Sequence, residues 1–213
     1  MNRVIICDDH KIVREGLKQI INVFNDFEVV AEAENGESLF RILKDNPTDL
    51  IILDVSLTGR SGLEILKQLK TTHPDIRVLM LSMYPEDQFA IRALKAGASG
   101  YLHKDSAPDV LLEALTKIAN GEEYISANIT RLLFQEMNGN TAMLPHKLLS
   151  DREYEVLLYI GEGLTISEIA RKLSLSVKTI STYRTRILEK MHLESNTDMV
   201  KYIMLHDLSL ETH

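Results

Sequence analysis

The sequence predicts an α/β domain built on a doubly wound, five-stranded parallel sheet, followed by a small all-helical domain. Three observations carry that expectation. Over roughly the first 120 residues, short apolar runs alternate with helical patterns. After Gly121 the strand patterns cease. A chain of 213 residues is also long enough for two modest domains.

Strands are expected at Val4–Cys7, Glu28–Ala33, Leu50–Asp54, Val78–Ser82 and Gly100–His103. Continuous apolar runs between helices mark strands covered on both faces, as in a parallel sheet. Between them, helices are expected over Ile12–Val23, Ser38–Asp45, Leu63–Lys70 and Asp87–Lys95, and Asp109–Asn120 closes the series. In the first, Ile12, Val13, Gly16, Leu17, Ile20 and Ile21 fall on one face at helical spacing. Pro85 ahead of Glu86-Asp87, and Ser106 ahead of Pro108, are helix-start signals. Five βα units in this length suit a flavodoxin-like fold.

From Gly121 the pattern changes. Ile125–Met137 reads as a helix, and Asn138-Gly139-Asn140-Thr141 and Pro145 interrupt it. The expected organisation is a first domain over 1–120, a linker with a helical first half over 121–148, and a helical domain over 149–213. Its helices are Asp151–Gly161, Thr165–Leu173, Val177–Met191 and Thr197–His206.

Composition narrows the function. Hydrophobic residues at 45% and charged residues at 26% are the balance of a protein that buries a core. A net charge of −7 argues against a nonspecific nucleic-acid coat, though a local basic face can still bind DNA. One Cys excludes a disulfide framework and a Cys-based zinc site, and it fits a reducing compartment. That residue, Cys7, lies in an expected buried strand and reads as packing. His10, His103 and His192 read as too dispersed for a metal site. Apolar runs such as Leu50–Leu53 are too short to span a bilayer, and the start meets Asp8-Asp9 before a signal-peptide core develops. The expectation is a cytoplasmic protein with no membrane partner.

In a parallel sheet the strand C-termini share one edge, where ligands bind. Here that edge collects Asp8 and Asp9 after the first strand, Asp54 ending the third, Ser82 ending the fourth and Lys104 just past the fifth. Three clustered carboxylates repel one another unless a cation sits among them. Oxygen ligands of this kind suit Mg²⁺. A carboxylate beside Mg²⁺ and a lysine can attack phosphorus and become an acyl phosphate, with the metal and the amine stabilising the transferring group. Taken singly each residue has an ordinary loop explanation, and the coincidence at four strand ends is what points to chemistry.

These residues resemble the receiver domain of two-component response regulators over 1 to about 120. The resemblance runs through Asp8-Asp9, Leu53-Asp54, Ser82, Ala96-Gly97-Ala98, Gly100-Tyr101-Leu102 and Lys104. It implies that Asp54 accepts phosphate from a sensor histidine kinase. Asp8, Asp9, Asp54 and the Ser56 carbonyl would hold Mg²⁺, Ser82 and Tyr101 would form the switch pair, and Lys104 would partner the phosphate. The chain departs from the family at Leu57-Thr58, where Met-Pro is frequent. It departs again at Asp105, where many receivers carry proline, and the geometry of the Lys104–Asp105 peptide stays open.

In the second half, the amphipathic Leu164–Leu173, the short Ser174-Leu175-Ser176 and the segment from Val177 form helix, tight turn, helix, with Ser176 a fitting N-cap. From Ser176 to Met191 the charged residues are Lys178, Arg184, Arg186, Lys190 and a single Glu189. Positive charge concentrated on one helix is the footprint of a major-groove reader. Leu149-Ser150-Asp151-Arg152-Glu153, Ile169-Ala170 and Ser176-Val177-Lys178-Thr179-Ile180 resemble the DNA-binding domain of LuxR/FixJ/NarL-type regulators. The resemblance makes Ser176–Met191 the recognition helix. Ser181, Thr182 and Thr185 are candidates for base edges. Lys178, Tyr183, Arg184 and Arg186 are candidates for phosphates, and Thr179 completes the set. Ile180, Ile187, Leu188, Ile169 and Leu173 are expected in the core.

The resulting expectation is a transcriptional regulator, not an enzyme, that takes phosphate, self-dephosphorylates slowly, dimerises and binds double-stranded promoter DNA, with RNA polymerase a further partner. Three rivals stand beside it. One is a degenerate or phosphorylation-independent regulator, or a protein-interaction adaptor. Another is a phosphatase of the haloacid-dehalogenase type, which needs Asp-x-Asp where this chain has Asp54-Val55-Ser56. The third is a flavodoxin-like electron carrier, whose flavin phosphate three acids would repel.

Overall fold

The computed structural model describes residues 1–137 and 144–208. Its contacts divide the chain into two compact units, Met1–Leu133 and Phe134–His213. The interruption at Asn138–Thr141 lies outside the described residues.

The first unit opens β1 (Asn2–Cys7), α1 (Lys11–Asn22), β2 (Phe27–Ala33), α2 (Gly36–Ile42) and β3 (Leu50–Asp54). It continues α3 (Gly62–Thr72), β4 (Arg77–Ser82), α4 (Glu86–Lys95), β5 (Gly100–His103) and α5 (Pro108–Ala119), and α6 (Ala127–Met137) leads out of it. The strands form one parallel sheet in the order β2-β1-β3-β4-β5. The order reverses between β1 and β3, which opens a crevice outside their C-terminal ends. Every residue of β3 is buried, as its unbroken apolar run requires of a central strand.

Side-chain alternation assigns the two faces. Val4, Ile6, Leu50, Ile52, Leu79, Leu81 and Leu102 form one cluster with Leu17 and Ile21 of α1 and Leu111, Leu115 and Ile118 of α5. The alternate residues Ile5, Cys7, Ile51, Leu53 and Met80 are equally buried on the side of α2, α3 and α4. Ile12, expected on the inner stripe of α1, is instead 81% exposed. The inward stripe of α1 runs through Val13, Leu17, Ile20 and Ile21, which pack on the sheet, and Ile12 in the first turn falls outside it. Ser106 does not cap α5, which starts after Ala107 without a side-chain cap. Tyr124 belongs to the same core cluster and bridges to Gly100, so the chain beyond α5 still packs on β5.

The second unit comprises a single 3₁₀ turn (Pro145–Leu148), α7 (Asp151–Gly161), α8 (Ile166–Lys172), α9 (Val177–Met191) and α10 (Asn196–Leu205). Ser150 and Thr165 begin capping boxes with Glu153 and Glu168. Ser176 caps α9 by accepting from the Thr179 N–H at 3.0 Å, as its position predicted. The turn between α8 and α9 carries Ser174 at φ 52°. Ile169, Leu173, Ile180, Ile187, Met199 and Ile203 are buried, and Leu188 is only half-buried. Lys190 of α9 binds Glu153 of α7 at 2.5 Å. Gly161 lies so close to Ile203 that a β-carbon there would sit 2.6 Å from its Cδ1, which sets how tightly α7 and α10 pack. Among the described residues, no helix is long and apolar enough to cross a membrane.

Candidate functional site

Backbone pairing delivers the site residues to one edge. The Asp8 N–H donates to the Ala33 carbonyl at 3.1 Å, the Val55 N–H to Leu81 at 3.0 Å, and the Lys104 N–H to Ser82 at 2.7 Å. These bonds continue the parallel ladders past the strand ends and fix Asp8, Asp54, Ser82 and Lys104 side by side. The start of α3 comes equally close, since the Gly62 N–H donates to the Val55 carbonyl at 2.9 Å. A β-carbon at Gly62 would lie 1.9 Å from the Asp54 carbonyl oxygen, so only glycine fits there.

Lys104 Nζ lies 2.6 Å from Asp8 Oδ2 and 2.9 Å from Asp54 Oδ2, and all three side chains are buried. Burial pushes the Asp54 carboxyl up to about 6; the Lys104 charge opposes this and Asp8 adds to it. Burial works against the Lys104 ammonium, but Asp54 and Asp8 outweigh it and raise its pKa. One ammonium thus pairs with two of the three carboxylates gathered here, and the excess negative charge calls for a cation. Asp8, Asp9, His10 and Asp54 each offer a ligand atom, all within 4.8 Å of one another. Oxygen donors and unbalanced charge fit a divalent ion held mainly by carboxylates.

Spacing along the chain gives His10 no metal-site signal, but the structure places its ring against the acidic group. Its Nδ1 lies 2.8 Å from Asp9 Oδ1. Arg14 was also missed; its Nη1 donates to the Asp8 carbonyl at 2.6 Å. Its place one turn into α1 from the Asp pair was the signal available.

Ser56 donates its N–H to Asp54 Oδ1 at 3.2 Å. Ser82 Oγ accepts from the Tyr84 N–H at 2.9 Å, and Tyr101 Oη donates to the Tyr84 carbonyl at 2.9 Å. Tyr101 points inward, with no exposed surface. Burial pushes its phenol well above the usual value. Tyr84, which sequence patterns do not single out, joins the two switch candidates. The Lys104–Asp105 peptide is trans, as no described residue has a cis bond. Leu57 is fully buried, so this loop is anchored without the family's Met-Pro. Cys7 is fully buried, which raises its thiol pKa and removes it from reactive chemistry.

On α9 the candidate DNA contacts follow helical phase. Lys178, Ser181, Thr182, Thr185 and Arg186 are exposed, opposite buried Ile180 and Ile187. Thr179, Tyr183 and Arg184 are half-buried on the flanks. Thr182 and Thr185 turn their hydroxyls back to the carbonyls of Lys178 and Ser181, at 3.0 and 3.1 Å. Arg184 Nε donates to Asn196 Oδ1 of α10 at 2.6 Å, a partner twelve residues away.

Residues 4–116 match the response regulator receiver domain, and residues 147–203 match the luxR family of bacterial regulatory proteins. The chain belongs to the NarL/FixJ-type response regulators, DNA-binding transcriptional regulators that join a receiver to a LuxR-type helix-turn-helix domain. Among known proteins, it is 34% identical over 210 residues to the oxygen regulatory protein NreC of Staphylococcus epidermidis, covering 95% of this chain and 96% of that one. It is 30% identical over 209 residues to the response regulator UvrY of Escherichia coli (strain K12), covering 98% and 96%. RcsB from Salmonella enterica serovar Typhimurium, solved bound to promoter rprA in the presence of phosphomimetic BeF3−, superposes with a TM-score of 0.66 at 29% identity, covering 95% and 98%.

Proposed function

We propose that Asp54 accepts a phosphoryl group from the phosphohistidine of a sensor kinase, and that this modification promotes dimerisation and promoter binding. The carrying observation is a buried carboxylate at the end of β3 held 2.9 Å from Lys104 Nζ inside a group of three acids. An Asp54 carboxylate oxygen forms the new bond to phosphorus as the phosphorus–nitrogen bond of the donor breaks, and the released imidazole keeps the electron pair and takes up a proton.

Lys104 is positioned to exchange an Asp54 oxygen for a phosphoryl oxygen, retaining charge balance while the acid becomes an acyl phosphate. Asp8, Asp9, Asp54 and the Ser56 carbonyl would hold Mg²⁺, which supplies charge neutralisation on the transferring group. Ser82 would turn its hydroxyl to the phosphoryl oxygens, and because Ser82 and Tyr101 both hold Tyr84, that turn reaches the segment leading into α4. No second acid follows Asp54 at Ser56, so release of phosphate is slow self-dephosphorylation, not substrate turnover.

We read 1–120 as receiver, 121–148 as linker and 149–213 as the DNA-binding domain. The exposed row Lys178, Ser181, Thr182, Thr185 and Arg186, flanked by Thr179, Tyr183 and Arg184, would face the major groove. Two copies would present two such helices to successive turns of the duplex. Such a regulator works in the cytoplasm beside RNA polymerase.

The test is intact-protein mass after incubation with Mg²⁺ and acetyl phosphate, on wild type and Asp54→Asn. One phosphoryl adduct, lost in the variant and without Mg²⁺, is expected. No adduct on the wild type would overturn the reading in favour of a receiver controlled by partner binding. Binding of the full chain to duplex DNA should weaken steeply with salt, and salt-independent background binding would leave the helical unit an adaptor.

A further inference from the structure

We propose that His10 is a fourth side-chain ligand at the acidic group, and that it biases the site toward first-row transition ions over Mg²⁺. This rests on the metal-assisted phosphoacceptor reading above.

Four features of the geometry carry it. First, His10 Nδ1 lies 2.8 Å from Asp9 Oδ1 and 3.4 Å from Asp8 Oδ1. Two ligands at right angles on one ion, each bonded at about 2.1 Å, sit about 3 Å apart. Second, Asp9 Oδ1 is buried yet accepts no hydrogen bond despite that short approach. Nδ1 therefore lies beside the oxygen without its N–H directed at it, as neighbouring ligands do. Third, the His10 backbone is fixed on the cluster, because its N–H donates to Asp8 Oδ1 at 2.8 Å. Fourth, the imidazole makes no capping bond at the N-cap of α1, and the side-chain contacts it does make are to the acidic group itself. It is 66% exposed, open to an arriving ion.

Carboxylates alone suit Mg²⁺, Ca²⁺ and Mn²⁺ alike. Mg²⁺ is reluctant to exchange water for nitrogen, whereas transition ions accept imidazole readily. The donor set of three carboxylates, the Ser56 carbonyl and one imidazole therefore favours a transition ion, and Mn²⁺ is the probe because it accepts both donor types.

The experiment uses the full chain stripped with EDTA and loaded with one equivalent of Mn²⁺. Pulsed electron paramagnetic resonance reads nitrogen-14 coupling to the ion in wild type, His10→Gln and Asp9→Asn. The coupling should be present in wild type and absent in His10→Gln, and Asp9→Asn should release the ion, which locates it. By competition, His10→Gln should lower Mn²⁺ affinity roughly tenfold or more and lower Mg²⁺ affinity by less. Bound Mn²⁺ without nitrogen coupling, or coupling that survives His10→Gln, would overturn the proposal. If His10→Gln still gains the Mg²⁺-dependent phosphoryl adduct, that failure belongs to His10 alone. If neither ion binds and no adduct forms, the phosphoacceptor reading fails and this proposal falls with it.

Discussion

Asp54 makes the first unit less stable as pH rises, and the size of the effect follows from its burial. Its folded pKa of about 6 stands above the ordinary 3.8 expected of the unfolded chain. Between those values the folded state keeps a proton that the unfolded state has released. Stability therefore falls as pH rises through this window, opposite to the usual carboxylate behaviour. The full displacement corresponds to about 3 kcal/mol, of which about 2 kcal/mol develops between pH 4.5 and 7.5. Asp54→Asn cannot titrate, so its stability relative to wild type should grow by about 2 kcal/mol across that interval. Urea unfolding in EDTA, followed by amide resonances of β3 residues, isolates this unit from the helical one. Saturating Mg²⁺ should offset the wild-type deficit, since ligand binding contributes about 2.7 kcal/mol at a hundredfold excess over its dissociation constant. A difference that stays flat with pH, or one that favours wild type at high pH, would refute the assignment of a destabilised, protonatable Asp54.

Three further outcomes are expected. Lys104→Met should cost the first unit about 3–5 kcal/mol in EDTA, because it strips two buried carboxylates of their ammonium, and added Mg²⁺ should recover much of the loss in the same urea titration. Tyr101→Phe should cost about 1–3 kcal/mol by removing the buried hydrogen bond to the Tyr84 carbonyl, and mass spectrometry should still find the Asp54 adduct at the wild-type level. Arg186→Ala should weaken duplex binding across all sequences and reduce the slope of log affinity against log salt by about 1, measured by fluorescence anisotropy.

Much of this architecture is legible because a parallel sheet writes itself plainly. A strand buried on both faces admits no polar residue, so Leu50–Leu53 announces β3, and Asp54 stands out by ending it. The carboxylate, hydroxyl and amine groups follow once strand ends are known to share an edge. Capping chemistry is similarly local, and Ser176 sits where its sequence says. What escaped depends on direction or on partners distant in sequence. Ile12 looks like a core residue, but the inward stripe runs through Val13, Leu17, Ile20 and Ile21 and leaves it exposed. His10 looks isolated along the chain, and only the sheet edge brings Asp54 to it. The Arg184–Asn196 contact joins two helices, and no periodicity encodes it. The 3₁₀ turn at Pro145–Leu148 is a single turn, too short to leave a periodic trace.

The lysine at the acidic edge arrives ninety-six residues after Asp8 and fifty after Asp54, just past the last strand of the sheet to leave the ribosome. A nascent chain that stops before β5 carries Asp8, Asp9 and Asp54 with no ammonium between them. Such long-range closure is slow compared with local helix formation. Phosphate acceptance would thereby wait for the first unit to be complete. A chain cut off before β5 would lack the lysine that the proposed phosphoryl transfer to Asp54 uses, so a signal could reach only chains whose sheet has closed.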